Sequence, residues 1–96
     1  MKQYTTPTIN VRMEGYGDVL ASADTIILTV SDGVTDIDLV PSVDNETLTV
    51  TLTQEQTASL SVGSILIEVT ISVMGHVFKS KTLKTRMEEA VREEVM

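Results

Sequence analysis

"TLTVTLTQEQTASLSVGSILIEVTISV", Thr47 to Val73, holds two alternating runs separated by a polar stretch that continues neither of them. In the first run Leu48, Val50 and Leu52 alternate with Thr47, Thr49, Thr51 and Thr53, the period of a strand with one buried face. In the second, Ile65, Ile67, Val69, Ile71 and Val73 share a face. Leu66 adds apolar surface to the opposite face, which predicts a long central strand. Between the runs, Thr53 and Gln56 match the S/T-x-x-E/Q capping box, and Thr57 and Leu60 fall about one turn further on. "TQEQTASL" is therefore predicted to be a single helical turn. A helical bridge between two one-sided strands fits a chain that leaves one sheet and enters another, as an antiparallel sandwich of the immunoglobulin type requires. The bridge reads as a corner of the fold and not as a site.

The strand pattern extends in both directions. "TINVRME", Thr8 to Glu14, sets Ile9, Val11 and Met13 against Asn10, Arg12 and Glu14 and predicts the first strand. "EGYGDVLASAD" carries the breakers Gly15, Gly17 and Asp18 without a clear period, and is read as a loop with room for a short edge strand. "TIILTVSDGVTDIDLV" has the pattern of a hairpin. Ile26, Leu28 and Val30 alternate, Asp32 and Gly33 supply left-handed turn positions, and Ile37 and Leu39 alternate with Asp36 and Asp38. Pro41 ends the second arm, and "SVDNE" turns the chain. Beyond Val73, Gly75 and His76 are predicted as the centre of a II′ turn. "VFKSKTLKT" then runs back, with Lys79 and Lys81 guarding an edge strand.

From Thr85 the period changes. "TRMEEAVREEVM" brings Met87, Ala90, Val91 and Val95 near helical spacing, and Thr85 with Glu88 fits a second capping box. The expected fold is all-β, an immunoglobulin-like antiparallel β-sandwich of about six to seven strands with a short C-terminal helix. Residues 1–84 would form the sandwich and residues 85–96 an amphipathic helix of the same domain. The predicted core is Leu48, Val50, Leu52, Ile65, Ile67, Val69 and Ile71.

Composition narrows the function more than it names it. A chain of 96 residues fits one domain with a modest core. Its apolar residues are almost wholly Val, Ile, Leu and Met, and one Phe, two Tyr and no Trp leave few aromatic anchors for a sugar or a single strand. With no Cys, neither disulfides nor thiolate ligands are available. No apolar h-region follows Lys2 and no apolar run reaches membrane-spanning length, so the expectation is a chain made in the cytoplasm without a membrane partner. The net charge of −7 is uneven: residues 1–78 hold two basic and ten acidic side chains, residues 79–96 five basic and four acidic ones. An acidic body repels phosphate backbones and argues against nucleic acid.

The candidates for chemistry each have a plainer account. His76, the only histidine, falls in a predicted turn without Cys, a second His or an orienting carboxylate nearby in sequence, and reads as a turn residue rather than a base or ligand. Asp32, Asp36, Asp38, Asp44 and Glu46 have the chemistry of a calcium site but not EF-hand spacing, and read as a solvated strand face and turn residues. The scattered glycines form neither GxGxxG nor a P-loop. "KSKTLKTR", Lys79 to Arg86, lacks interleaved aromatics and reads as a solvated edge strand. No catalytic, cofactor-binding or metal-binding residue is expected, and no cofactor. The remaining site candidate is the Met87, Ala90, Val91, Val95 stripe, which either packs on its own sheet or docks on a partner.

Three stretches together, "YTTPTINVRMEG", "LTVTLTQEQTASLSVGSILIEVTI" and "MEEAVREEV", resemble small proteins encoded in the structural, tail and baseplate region of tailed bacteriophages and prophages. In that group a "LTQE-x-T" corner precedes a long strand, a Gly-containing hairpin and a short C-terminal helix. The resemblance spans nearly the whole chain, but its motifs are structural and carry no catalytic residue. It implies an immunoglobulin-like sandwich with a non-enzymatic role in the virion, in the tail or baseplate region. The implied partners are other virion proteins or copies of itself, and the implied location is the host bacterial cytoplasm and then the particle. Met74, Phe78 and the "YGDVLASAD" loop depart from the group's pattern. The competing expectation is a small immunoglobulin-like binding or adhesion module that uses its end loops.

Overall fold

The computed structural model describes residues 1–80 and 82–90. The chain runs β1 (Thr8–Arg12), α1 (Gly17–Ser22), β2 (Thr25–Ser31), β3 (Asp36–Leu39), β4 (Ser42–Asp44), β5 (Thr47–Thr51), α2 (Gln54–Ser59), β6 (Gly63–Val73), β7 (His76–Lys79) and β8 (Leu83–Met87). The fold is all-β, with antiparallel strands in two sheets. One sheet has the order β1-β5-β4. The other has the order β3-β2-β6-β7, with β8 also pairing β6. Both sheets turn apolar side chains into one core: Val11, Leu48 and Val50 from the first, and Leu28, Val30, Ile65, Val69, Ile71 and Met87 from the second. All seven core residues expected from the two alternating runs are buried.

The corner forms for the reason its sequence suggests. Thr53 Oγ1 accepts from the Gln56 N–H at 3.1 Å, and the Gln56 side chain accepts from the Thr53 N–H at 2.9 Å, so two otherwise unpaired helix donors are satisfied. Thr57 within α2 and Leu60 just after it, at 0% and 1% exposure, face inward. The Thr57 hydroxyl donates to the Thr5 carbonyl at 2.9 Å and accepts from the Thr5 N–H at 3.1 Å, fastening the N-terminal segment to the corner. On either side of α2 the chain changes sheets, from β5 to β6.

Four local expectations are corrected. The "YGDVLASAD" region contains α1, not a loop or edge strand. Leu20 is buried while Val19 and Ala23 pack against the core, and a helix of six residues is too short for a helical period to be visible. Within "SVDNE", Ser42–Asp44 form a short strand on β5, and only Asn45 and Glu46 turn, with Asn45 in the left-handed region at φ 55°. The β2–β3 loop spans Asp32 to Thr35, and of its residues only Gly33 takes a positive φ. The hairpin after β6 pairs Val73 with His76, so Met74 and Gly75, at φ 49° and 84°, are the turn, which is type I′ and not II′.

The largest correction concerns the C-terminal segment. Leu83–Met87 is strand β8 and not the start of a helix: Thr85 pairs with Ile65, and Met87 pairs with Gly63. Ala90 follows in non-helical backbone, and Val91 and Val95 lie outside the described residues. Inward-facing Leu83, Thr85 and Met87 keep a strand's period through the residues that also fit a helical one, and pairing along β6 decides between them. β7 and β8 lie end to end along β6. Thr70 pairs with Lys79 and Ile67 with Leu83, so the register along β6 shifts by one residue between the two strands. Val69 and Ser80 bridge the junction, the Ser80 N–H donating to the Val69 carbonyl at 2.9 Å and the Val69 N–H to Ser80 Oγ at 3.0 Å.

Candidate interaction surface

Of the predicted partner stripe, Met87 is fully buried in the core, Ala90 is half-buried beyond the strand, and the other two members, Val91 and Val95, lie outside the described residues. The end of β8 is further occupied by the N-terminus. The Gln3 N–H donates to the Glu88 carbonyl at 3.0 Å and the Glu88 N–H to the Met1 carbonyl at 2.8 Å, with Lys2 in a parallel bridge to Glu88.

The opposite end of the same arm is open. Met74, Val77 and Phe78 are 86%, 63% and 51% exposed around the β6–β7 hairpin. Val77 pairs with Ser72 and faces outward, whereas Phe78 pairs with Ile71 and leans toward the core face at the sheet edge. Phe78 borders a shallow hollow with Val19 and Val73 between α1 and β7. A second hollow, bordered by Met13, Tyr16 and Leu83, lies further along the same arm between the end of β1 and β8. Two of the chain's three aromatic residues therefore flank one open seam. Exposed Met and aromatic side chains grouped in this way are what protein contacts use.

Met74 adds a second signal, because an exposed non-glycine residue in the left-handed region is held there at a cost of about 1 to 2 kcal/mol. Its N–H donates to the Asp24 carboxylate at 2.8 Å, which holds the hairpin tip against the start of β2. Met74→Asn is expected to raise stability by about 0.5 to 1 kcal/mol, since Asn-Gly is the preferred I′ pair. Urea unfolding of the two proteins measures the difference, and a lower midpoint for the variant would contradict the turn assignment.

The acidic candidates are dispersed. Asp32 is a loop clasp: its carboxylate accepts from Val34 and Thr35 N–H groups at 2.8 and 2.6 Å and from the Ser61 N–H at 2.8 Å. The Ser61 bond, followed by those from Thr35 and Val34, holds the Asp32 carboxyl well below its ordinary range. Asp38 accepts from the Thr29 hydroxyl at 2.7 Å, and Asp36 and Asp44 are exposed on their strands. Glu46 accepts from the Gly15 N–H and lies 3.9 Å from Arg12. Among the described residues no three His, Cys, Asp or Glu side chains are grouped to hold a metal ion. His76 is exposed at the start of β7 rather than in the turn itself. No helix among the described residues is long and apolar enough to cross a membrane.

The seam is not visible in the sequence because its members come from β1, α1, β6, β7 and β8. The available signal was the apolar character of Met74 and Phe78 at a hairpin. No family model matches the chain, and no curated protein or solved structure matches it closely enough to count as similar.

Proposed function

We propose that the chain is a non-enzymatic protein-contact module with an immunoglobulin-like β-sandwich fold, serving as a structural or accessory component of the tail or baseplate region of a phage or prophage particle. The fold reading is supported by strand order: β1-β5-β4 and β3-β2-β6-β7 follow the B-E-D and C′-C-F-G arrangement of that sandwich, with α2 at the E–F corner. The chain has no Cys pair and no Trp, so the antibody-type core hallmarks are replaced by aliphatic packing. The functional reading is carried by one observation, the open seam with Met74, Val77 and Phe78 at its hairpin end. The virion assignment rests on the resemblance described above.

Mass spectrometry of purified particles from the induced source bacterium tests this. The wild-type chain is expected in the particles. Val77→Asp, which changes an outward side chain, is expected to be lost from them while keeping its melting temperature. Absence of the wild-type chain, or undiminished incorporation of the variant, would remove the proposal.

A second reading is an adhesion or binding module that uses its end loops. It is favoured by Val34, 92% exposed on the loop that Asp32 clasps to Ser61, a rigid apolar tip at one end of the molecule. If Val34→Asp abolishes partner capture and Val77→Asp does not, this reading replaces the first.

A further inference from the structure

The two edges of the larger sheet carry opposite charge. β3, at one edge, turns Asp36 and Asp38 to the outer face, opposite Ser31 and Thr29 of β2. β8, at the other edge, turns Lys84 and Arg86 to that same face, opposite Leu66 and Ser64 of β6. Among the described residues, Asp36, Lys84 and Arg86 have no ion-pair partner, and no other strand covers the outer edge of Asp36–Leu39 or of Leu83–Arg86, the N-terminal segment bridging that edge only beyond them, at Glu88.

We infer that the chain associates head to tail with further copies of itself, β3 of one copy adding to β8 of the next. This rests on the reading of the chain as a protein-contact module and names one of its partners. Direction permits it. Along β3, β2, β6 and β8 each neighbour is antiparallel, so the two edge strands run in opposite senses and a translated copy meets β8 in the antiparallel sense. Register supports it as well. Setting Asp36 against Arg86 and Asp38 against Lys84 places Ile37 against Thr85 and Leu39 against Leu83, so all four residues of β3 are matched. Acid then meets base on the outer face, and half-buried Leu39 meets Leu83, 45% exposed, on the inner face.

The alternatives are disfavoured by the same charges. Symmetric pairing of β8 with β8 or β3 with β3 sets like charges opposite each other, which is how edge strands resist pairing. The net charge of −7 likewise opposes indiscriminate association. What remains is a heterologous contact, which generates rings or open chains rather than a closed pair.

Light scattering with sedimentation velocity on the full chain, over rising concentration, tests the inference. The wild-type mean mass is expected to climb beyond twice the 10.5 kDa chain mass. Lys84→Glu/Arg86→Glu gives two acidic edges and Asp36→Lys/Asp38→Lys two basic ones. Each alone is expected to associate at least about tenfold more weakly than wild type while keeping a wild-type circular dichroism spectrum. An equimolar mixture of the two is expected to regain association, which a folding defect would not produce. If a charge-reversed variant fails to fold, Asp36→Asn/Asp38→Asn and Lys84→Gln/Arg86→Gln replace the pair, with weakened association expected of each. A wild-type chain that stays at 10.5 kDa, a plateau at a dimer, or no recovery on mixing folded variants overturns the inference. Presence in particles is a separate readout. A monomeric chain found in particles defeats only self-association, and an associating chain absent from particles defeats only the virion assignment.

Discussion

Ile67→Ala is expected to lower stability by about 2 to 5 kcal/mol, while Leu66→Ala, one residue away, changes it by about 1 kcal/mol or less. Ile67 is 6% exposed and sits in the shared core, whereas Leu66 is 37% exposed on the outer face opposite Lys84. A strand alternates its faces at every residue, so the difference between these neighbours reports the register of the whole of β6. β6 also makes the contrast large. It pairs with β2, β7 and β8, so the cavity left at Ile67 is ringed by paired backbone that cannot collapse freely into it. Such a loss is a large part of the roughly 5 to 15 kcal/mol available to a small domain. Paired urea titrations with unchanged m-values give the comparison. Equal losses, or a larger one for Leu66, would mean that the sheet buries its other face.

The parts of the fold that were legible are those whose pattern depends on one element. Leu48, Val50 and Leu52, and Ile65 to Val73, each repeat every second residue over a run long enough to exclude a helix. The Thr53 and Gln56 box is a contact between residues three apart, and it formed as its spacing suggests. The parts that were not legible depend on partners distant in sequence. α1 exists because Leu20 is buried beneath the sheets, which no six-residue window displays. The I′ turn puts Met74 in the left-handed region, because the pairing of Val73 with His76 fixes where the chain reverses. A propensity argument assigns that position to glycine and so misplaces the turn by one residue. The candidate interaction surface was hidden for a related reason. Tyr16, Phe78 and Leu83 belong to different elements and border one seam only once β7 and β8 share one edge of β6.

Met87→Asp is expected to abolish the cooperative unfolding transition, because it places a carboxylate at a fully buried position in an apolar core. Burying an unpaired charge costs at least several kilocalories per mole, comparable with the whole stability of the domain. The neighbouring Arg86→Asp, on the outer face and exposed, is expected to stay folded, and Met87→Leu to lose no more than about 1.5 kcal/mol. The three variants decide between the two periods that fit this segment. On a helix offering a stripe to a partner, Met87→Asp leaves the sheets intact and only reduces association. On a strand paired with β6, it removes the residue that closes the core where Gly63 supplies no side chain. The Met1 and Gln3 backbone contacts to Glu88 sit directly beyond Met87, so loss of the strand should also release the N-terminal segment. Circular dichroism during a thermal ramp, read beside light scattering, separates the outcomes. A folded Met87→Asp monomer would restore the stripe as a docking element and withdraw β8 from the fold. An unfolded Met87→Asp beside a folded Arg86→Asp places Met87 in the core and leaves the exposed seam and sheet edges as the proposed contacts.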